Sequence, residues 1–332
     1  MVISRTPFRV SFFGGGTDYP TWYREHGGAV LSTAINKYCF ITCRYLPPFF
    51  DYKYRIRYYQ REETNSIDEI QHPSVRESLI FMEVDKGVDL VHHADLPARS
   101  GLGSSSTFTV GLLHALYALK HKMPTKRELA IHAIRIEQDH IKESVGSQDQ
   151  TIAAFGGLNR ITFGGTQEIM VSPIILPPSK LERLEQHIML FFTGFARTAS
   201  DVAKEQIKQI PAKRDNLYKM LQLVDEATEL LQAEEDRLED FGRLLHEQWL
   251  IKQSMSSVIS NTHIDTIYQT GLKAGALGGK LLGAGGGGFM LFFVRPEQQD
   301  RVKEALKHLL YVPSRFDHLG SQIIYYSHED EY

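Results

Sequence analysis

Three consecutive serines, 104–106, directly follow the Gly101-Leu-Gly103 stretch of this 332-residue chain. An alternating run before it, 88–94, predicts a strand, and the apolar spacing over 108–119 predicts a buried helix after it. Glycine permits positive φ and close approach of a ligand to the backbone. A helix N-terminus adds free N–H groups and a positive dipole end. The segment therefore predicts an anion cradle, most naturally for phosphate; a flexible connection is the alternative.

A second glycine-rich segment, Gly14-Gly15-Gly16-Thr17-Asp18, ends a strand predicted over 3–13 that carries Arg9. A carboxylate beside bare backbone suits a polyhydroxy ligand, because Asp accepts two hydroxyl hydrogen bonds. A simple turn explains the glycines equally simply, and by themselves they favour it. The spacing is not G-x-G-x-x-G, which argues against a dinucleotide-binding enzyme.

Two further carboxylates lie on or beside predicted helices. Asp149 stands between two glutamines ahead of a small apolar helix, which fits either a fixed functional acid or a helix cap. Glu137 falls late in a helix predicted over 125–141, which begins with a Thr125–Glu128 capping box. Taken alone, a glutamate on a helix is most simply solvated.

The third glycine-rich segment spans 275–288 and contains Lys280. It is not a Walker A loop, because Ala274 replaces the first glycine and Leu281 the magnesium-binding Ser or Thr. Four consecutive glycines, 285–288, require a backbone neighbour that leaves no room for a Cβ. A nearby phosphate loop is one such neighbour.

The composition fits an ordinary globular protein of about two domains, with 42% hydrophobic residues and a net charge of −3. No apolar run is long enough to span a membrane, and the N-terminus lacks the zones of a secretory signal. The near-neutral charge argues against nucleic-acid or membrane partners, so the aromatic and basic stretch 49–61 is interpreted as an exposed edge strand. Cys39 and Cys43 share one side of a predicted strand and are expected to be reduced in a cytoplasmic protein.

The order of the three glycine-rich segments resembles that of the GHMP small-molecule kinases, which include galactokinase, homoserine kinase and mevalonate kinase. The resemblance covers nearly the whole chain. It implies an α+β, two-domain GHMP kinase fold, with an N-terminal domain like ribosomal protein S5 domain 2 and a ferredoxin-like C-terminal domain. We place these domains at residues 1–172 and 173–332, divided at a proline-rich segment, with the ligands in the cleft between them.

The resemblance also implies roles for individual residues, with ATP and Mg²⁺ as cofactors. Asp149 matches the acid placed against the accepting hydroxyl, and Arg9 matches an arginine of galactokinase-like members. Ser105 and Glu137 match the magnesium ligands. The ATP-binding residues implied are Pro97, Ser100, Gly101, Leu102, Gly103, Ser104, Ser105 and Ser106. The substrate-binding residues implied are Gly15, Gly16, Thr17, Asp18, Gly286 and Gly287.

Within this superfamily the motifs most resemble those of kinases for D-glycero-D-manno-heptose 7-phosphate, which phosphorylate the anomeric hydroxyl on the way to nucleotide-activated heptose. Gly14-Gly15-Gly16 departs from the Gly-Glu-His of galactokinase and argues against galactose, whereas Ser106 in place of alanine is shared with heptose kinases. Cations considered for a 7-phosphate pocket are Arg24, Lys37, Arg44 and Arg197, each of which fits a solvated surface charge equally well.

Other functions stay open on the sequence. A kinase of the same fold for fucose, a glycuronic acid or an unphosphorylated heptose has the same motifs, because specificity lies in scattered loop contacts. A non-catalytic sensor of sugar and ATP is a further alternative, although it would be expected to have lost Asp149, Arg9 or a loop serine. The expected partners are small-molecule substrates, and a homodimer is left open.

Overall fold

The computed structural model describes residues 1–165, 168–194 and 199–328, which form two sheets flanked by helices. Within these residues the first sheet has nine strands, with β13-β1-β2-β5-β3-β4 as its main path and β6, β7 and β12 joined at its side. Its strands are β1 (Val2–Phe13), β2 (Gly28–Tyr45), β3 (Tyr54–Arg57), β4 (Arg61–Thr64), β5 (Val88–Ala94), β6 (Leu158–Phe163), β7 (Ile169–Pro173), β12 (Phe316–Asp317) and β13 (Gln322–Tyr326). The second sheet has the order β11-β8-β10-β9. Its strands are β8 (Ile188–Phe192), β9 (Ala276–Leu281), β10 (Phe289–Val294) and β11 (Leu310–Val312).

Helices pack against both sheets. They are α1 (Pro20–His26), α2 (Pro73–Phe81), α3 (Ser104–Leu119), α4 (Lys126–Arg135), α5 (Gln148–Phe155), α6 (Pro178–Gln186), α7 (Ala199–Gln209), α8 (Arg214–Gln232), α9 (Leu238–Met255), α10 (Thr262–Lys273) and α11 (Gln299–Ala305). The described residues contain no helix that is both long and apolar enough to cross a membrane.

Helix α3 packs against β1 and β2 of the first sheet, and nearly all its side chains are buried, as its apolar sequence predicts. It crosses β1 closely at Gly111, where an added Cβ would lie 2.9 Å from the Thr6 Oγ1. The Ser4 hydroxyl donates a 2.7 Å hydrogen bond to the Gly111 carbonyl at this crossing. This close packing fixes the helix, and with it the loop that precedes Ser104, relative to the end of β1.

Strands β1 and β2 form the long antiparallel pair of the first sheet. Residues 29–45 form part of one continuous strand. Cys39 and Cys43 lie on it as buried, free thiols, as the spacing predicted. The strand predicted over 49–61 is a short hairpin, of which β4 is the edge and β3 an inner strand beside β5.

The capping box predicted at Thr125 and Glu128 is present and begins α4. The helix does not continue regularly to residue 141, because a π turn over 136–140 replaces its last α-helical turn. Such wide turns are frequent at functional sites. Here Glu137 is wholly buried and not solvated.

The two sheets are joined through a shared aromatic contact. Phe12 and Phe13, at the end of β1, both make edge-to-face contacts with Phe241 of α9, with ring centroids 5.5 and 5.1 Å apart. The buried Lys280 ammonium donates to the Phe12 carbonyl at 3.0 Å, which gives this lysine a structural role. After β11 the chain returns to the first sheet as β12 and β13. The boundary between residues 172 and 173 stays a prediction.

Candidate active site

The glycine-serine loop (residues 97–106) connects β5 to α3, as the sequence pattern predicts. Gly101 and Gly103 have φ angles of +82° and +77°, so both lie in the left-handed region that favours glycine. The first turn of α3 carries no acidic side chain, and Ser105 is exposed there. The free N–H groups of this turn therefore face a surface where an anion can bind.

The backbone neighbour that leaves no room for a Cβ on Gly283 and Gly288 is this same loop. The Phe289 N–H donates to the Ser100 carbonyl at 3.0 Å. A Cβ on Gly288 would overlap that carbonyl, and a Cβ on Gly101 would overlap the carbonyl of Leu282. The turn at 282–288 therefore packs backbone to backbone against the glycine-serine loop through its two ends, while Gly286, between them, donates to the Ile259 carbonyl. The C-terminal unit thus holds the loop in place.

Arg9 and Asp149 form the best-defined charged pair of the site. The Arg9 Nε donates to Asp149 Oδ1 and the Nη2 to Oδ2, both at 2.7 Å. The Arg9 Nη1 donates to the Gly101 carbonyl at 2.6 Å. Asp149 lies in the first turn of α5, and its Oδ2 would be 3.1 Å from a Cβ on Gly103. One guanidinium therefore aligns a carboxylate with the glycine-serine loop.

Asp18 lies at the end of the first glycine-rich segment and is almost fully buried. Its Oδ1 accepts a 2.9 Å hydrogen bond from the Gly16 N–H, and its Oδ2 accepts a longer one from the Gln148 N–H. Burial raises the pKa of Asp18, and the negative charge of Asp149 acts in the same direction. Asp18 thus adjoins the residue that precedes Asp149.

Thr17 has a role that its sequence position did not reveal. Its hydroxyl is buried and donates to the Gly14 and Ala29 carbonyls, so it ties the turn after β1 to the start of β2. Gly15 and Gly16, by contrast, line a narrow cavity between the first glycine-rich segment and the helices of the C-terminal unit. Its other lining residues are Tyr19, Ile210, Met220, Lys252 and Met255.

Glu137 is brought to α3 and α5 by the π turn. Its Oε2 accepts hydrogen bonds from the Ser106 hydroxyl, at 2.8 Å, and from the Gln150 amide. Its Oε1 is buried and has no hydrogen-bond partner among the described residues. Burial raises the pKa of Glu137 to about 7, although the hydrogen bond from Ser106 acts in the opposite direction. The serine that touches Glu137 is thus Ser106, whereas Ser105 lies exposed at the helix start.

Lys252 is a site residue that the motifs did not reveal. It lies on α9, is largely buried, and donates a hydrogen bond from its ammonium group to the Gly283 carbonyl. One signal was present in the sequence, because Lys252 continues the buried stripe of α9. The other members of this stripe include Leu245, Gln248, Trp249 and Met255. A lysine in such a stripe needs a polar partner within the fold.

The remaining candidate cations lie elsewhere. Arg24 is exposed, Lys37 is half-buried, and Arg44 is paired with Asp89 at 3.2 Å. Arg197 lies outside the described residues. A larger cavity, of about 490 Å³, lies at the opposite end of the first sheet and contains none of the predicted site residues. Residues that line it include Val2, Tyr45, Phe50, Gly87 and Leu119.

An anion-binding helix start, a carboxylate aligned by an arginine and an adjoining polar turn are the parts that phosphoryl transfer to a small molecule needs. The fold and the site therefore define a small-molecule phosphotransferase. The family models for the N-terminal domain and the C-terminal domain of GHMP kinases match residues 71–157 and 227–312. The chain belongs to the GHMP kinase family and has its two-domain α+β fold.

Relatives of known name include sugar kinases and mevalonate kinases. The chain is 29% identical over 318 residues to a D-glycero-alpha-D-manno-heptose 7-phosphate kinase of Campylobacter jejuni, with 92% of each chain covered. A crystal structure of a D-glycero-D-manno-heptose 1-phosphate kinase from Bacteroides thetaiotaomicron shares the fold, with a TM-score of 0.73, 24% identity and coverage of 99% of this chain and 100% of that one. Galactokinase of Lactococcus lactis in complex with galactose is also similar in fold, with a TM-score of 0.74, 18% identity and 97% and 94% coverage.

Proposed function

We propose that this kinase transfers the terminal phosphoryl group of ATP to the anomeric hydroxyl of D-glycero-D-manno-heptose 7-phosphate. The product would be the 1,7-bisphosphate, a precursor of nucleotide-activated heptose. The observation that carries the catalytic part is the Arg9–Asp149 pair beside the glycine-serine loop. The choice of acceptor is supported by the similarity to the Campylobacter heptose 7-phosphate kinase over most of both chains.

In this proposal the glycine-serine loop binds the ATP phosphates with its backbone N–H groups. The residues assigned to this role are Pro97, Ser100, Gly101, Leu102, Gly103, Ser104, Ser105 and Ser106. Asp149, held in place by Arg9, accepts a hydrogen bond from the anomeric hydroxyl and takes its proton as the new P–O bond forms. The P–O bond to ADP breaks in the same step, so no phosphoenzyme is formed. Asp18, Gly15 and Gly16 form the sugar side of the site, with Gly286 and Gly287 opposite, whereas the buried Thr17 supports this turn from inside the fold.

The residues present also fit a magnesium ion. Glu137 has one buried carboxylate oxygen without a hydrogen-bond partner, and a cation would compensate the burial that raises its pKa. Glu137 and Ser105 would hold the ion from the protein side. No cluster of three His, Cys, Asp or Glu side chains occurs in the described part of the chain. In proteins Mg²⁺ commonly binds one or two carboxylates together with waters and substrate phosphates. When bound, the ion neutralises negative charge on the phosphates.

A panel of acceptors tests the proposal. ADP release would be measured with Mg²⁺, ATP and one of D-glycero-D-manno-heptose 7-phosphate, unphosphorylated heptose, mannose, fucose, galactose or glucuronic acid. We expect turnover with the heptose phosphate, loss of turnover in Asp149→Asn, and a 1,7-bisphosphate product by NMR. Turnover of another sugar alone would keep the kinase chemistry and refute the acceptor. Binding of ATP and sugar without any turnover would favour a sensor.

A further inference from the structure

Lys252 is the residue near the glycine-serine loop that neither the motifs nor the assigned chemistry uses. Its side chain extends from α9 to the Gly283 carbonyl. A Cβ on Gly283 would be 2.5 Å from the Cα of Gly101, so this carbonyl belongs to the segment in direct contact with the loop. The same lysine lines the narrow cavity next to Gly15 and Gly16. Its ammonium group therefore lies between the phosphate side and the acceptor side of the site.

The ammonium group of Lys252 has N–H donors left over for an anion. A lysine has three N–H donors, and among the described residues one of them is used, by Gly283. Arg9 also keeps unused N–H donors, but its Nε, Nη1 and Nη2 each hold Asp149 or Gly101, so its orientation is fixed by these two partners.

Lys280 donates to the Phe12 carbonyl, and burial lowers its pKa well below the ordinary value, so it is less suited than Lys252 to carry a charge to a ligand. Lys252 thus stands apart from the other two cations near this site.

The titratable and charged groups that face Lys252 are Arg9 of β1, Asp18 after β1, Asp149 of α5 and Lys280 of β9. With Lys252 itself they comprise three basic side chains and two carboxylates. Burial and the charge of Arg9 lower the pKa of Lys252 to about 8, while Asp18 and Asp149 oppose this shift. A cation kept from water in this way gains more than an exposed lysine would from an incoming phosphate.

We propose that Lys252 is a catalytic residue whose ammonium group contacts the terminal phosphoryl group of ATP where it passes to the acceptor. The inference rests on the proposed phosphoryl transfer from ATP but not on the identity of the sugar. In the reaction the P–O bond to ADP breaks and the bond to the acceptor oxygen forms. Lys252 keeps its proton throughout and balances charge on the phosphoryl oxygens.

The test uses ADP with beryllium fluoride, which mimics the terminal phosphoryl group and needs no sugar. Binding of Mg-ADP, with and without beryllium fluoride, would be measured by calorimetry at pH 7 in the wild type, Lys252→Met and Lys180→Met. Lys180 is a matched control, because it is equally buried and its ammonium donates to the Ala233 carbonyl. Lys180 lies outside the site, on α6.

For Lys252→Met we expect the affinity gained from beryllium fluoride to fall about tenfold or more, with ADP affinity changed less than about threefold. Lys180→Met should keep the full gain. An unchanged gain in Lys252→Met would overturn the proposal and leave Lys252 as an anchor between α9 and the glycine turn.

Lys252→Arg covers the case in which the methionine variant does not fold. The gain from beryllium fluoride in the wild type should decline above about pH 8, as the Lys252 ammonium loses its proton. An arginine stays charged, so this decline should disappear in Lys252→Arg. The same alkaline decline in both proteins would refute the role of Lys252. A wrong acceptor sugar would leave all these results unaffected.

Discussion

The guanidinium of Arg9 and the carboxylate of Asp149 meet in two parallel hydrogen bonds of 2.7 Å, although 140 residues separate them in the chain. Such a bidentate pair fixes the plane of the carboxylate as well as its position. A third hydrogen bond from Arg9, to Gly101, ties this pair to the glycine-serine loop. The orientation of the proposed base is thus set by the loop that would bind the phosphates.

Asp149→Asn should lower kcat by about 10²–10⁴-fold, because an amide does not accept the proton of the acceptor hydroxyl. Binding of ATP should change little, since the glycine-serine loop stays intact. Rates of ADP release and equilibrium nucleotide binding measure the two effects. Asp300→Asn, at an exposed carboxylate on α11, is the control and should behave as the wild type. A kcat within tenfold of the wild type would rule out Asp149 as the base.

Arg9→Lys keeps the charge but loses the fork that holds both carboxylate oxygens and Gly101. We expect kcat to fall about tenfold or more while the variant remains folded. Arg5→Lys is a matched control on the same strand, where Arg5 lies over the Tyr38 ring at 4.7 Å. The kcat values of the two variants, from steady-state kinetics, measure this difference. Equal effects of both substitutions would show that β1 tolerates neither, with no special role for Arg9.

Gly101→Ala should weaken both folding and nucleotide binding, since the added methyl group would overlap the Leu282 carbonyl at a positive φ. Gly165→Ala separates the cost of a positive φ from the cost of the steric overlap. Gly165 has a similar φ of +77°, against +82° at Gly101, and a Cβ there meets no atom of the described residues within 4 Å. The Gly165 variant should therefore lose only about 1 kcal/mol of unfolding free energy from strain.

The additional loss of unfolding free energy in Gly101→Ala reports how tightly the third glycine-rich segment packs against the glycine-serine loop. We expect it to reach about 1–3 kcal/mol by urea unfolding. Nucleotide affinity should fall in this variant and not in the other. Identical losses in the two alanine variants would mean that the contact between the loop and the glycine turn is loose.

Glu137→Gln should change how stability depends on pH. The pKa of Glu137 in the folded protein is about 7, above its ordinary value of 4.5. The folded state therefore holds a proton that the unfolded state releases between these values, so stability falls as pH rises from about 4.5 to 7. Glutamine does not titrate, and its Oε1 can still accept from Ser106 and Gln150.

The unfolding free energy of Glu137→Gln relative to the wild type should therefore rise by up to about 3 kcal/mol between pH 5 and 7, and level off above. Urea unfolding at pH 5, 6, 7 and 8 measures the difference, in which other titrating groups cancel. Glu304→Gln, at an exposed glutamate paired with Lys307, should give a nearly flat difference. A flat difference for Glu137→Gln as well would mean that its carboxylate has an ordinary pKa in the fold.

The local features of this protein could be predicted from its amino-acid sequence. Hydrophobic periodicity located β1, β5 and α3, and residue chemistry located the glycine-serine loop and the Thr125–Glu128 capping box. These features depend on neighbours a few residues apart, which a linear pattern records. The order of three glycine-rich segments was specific enough to indicate the GHMP kinase family.

Contacts between residues that lie far apart in the chain could not be predicted in this way, because they depend on how the elements pack. Taken alone, the sequence favoured a solvated Glu137. In the structure a single π turn at 136–140, which residue propensities do not predict, places its side chain in the interior. Lys252 comes to the Gly283 carbonyl because α9 packs on the second sheet. Gly288 is required because Ser100, nearly 200 residues earlier in the chain, leaves no room for a Cβ, and Gly285 is required in the same way by Ile259. Burial and charge at such points depend on which elements pack together, and it is this packing that sets the pKa of Glu137 and the position of Lys252.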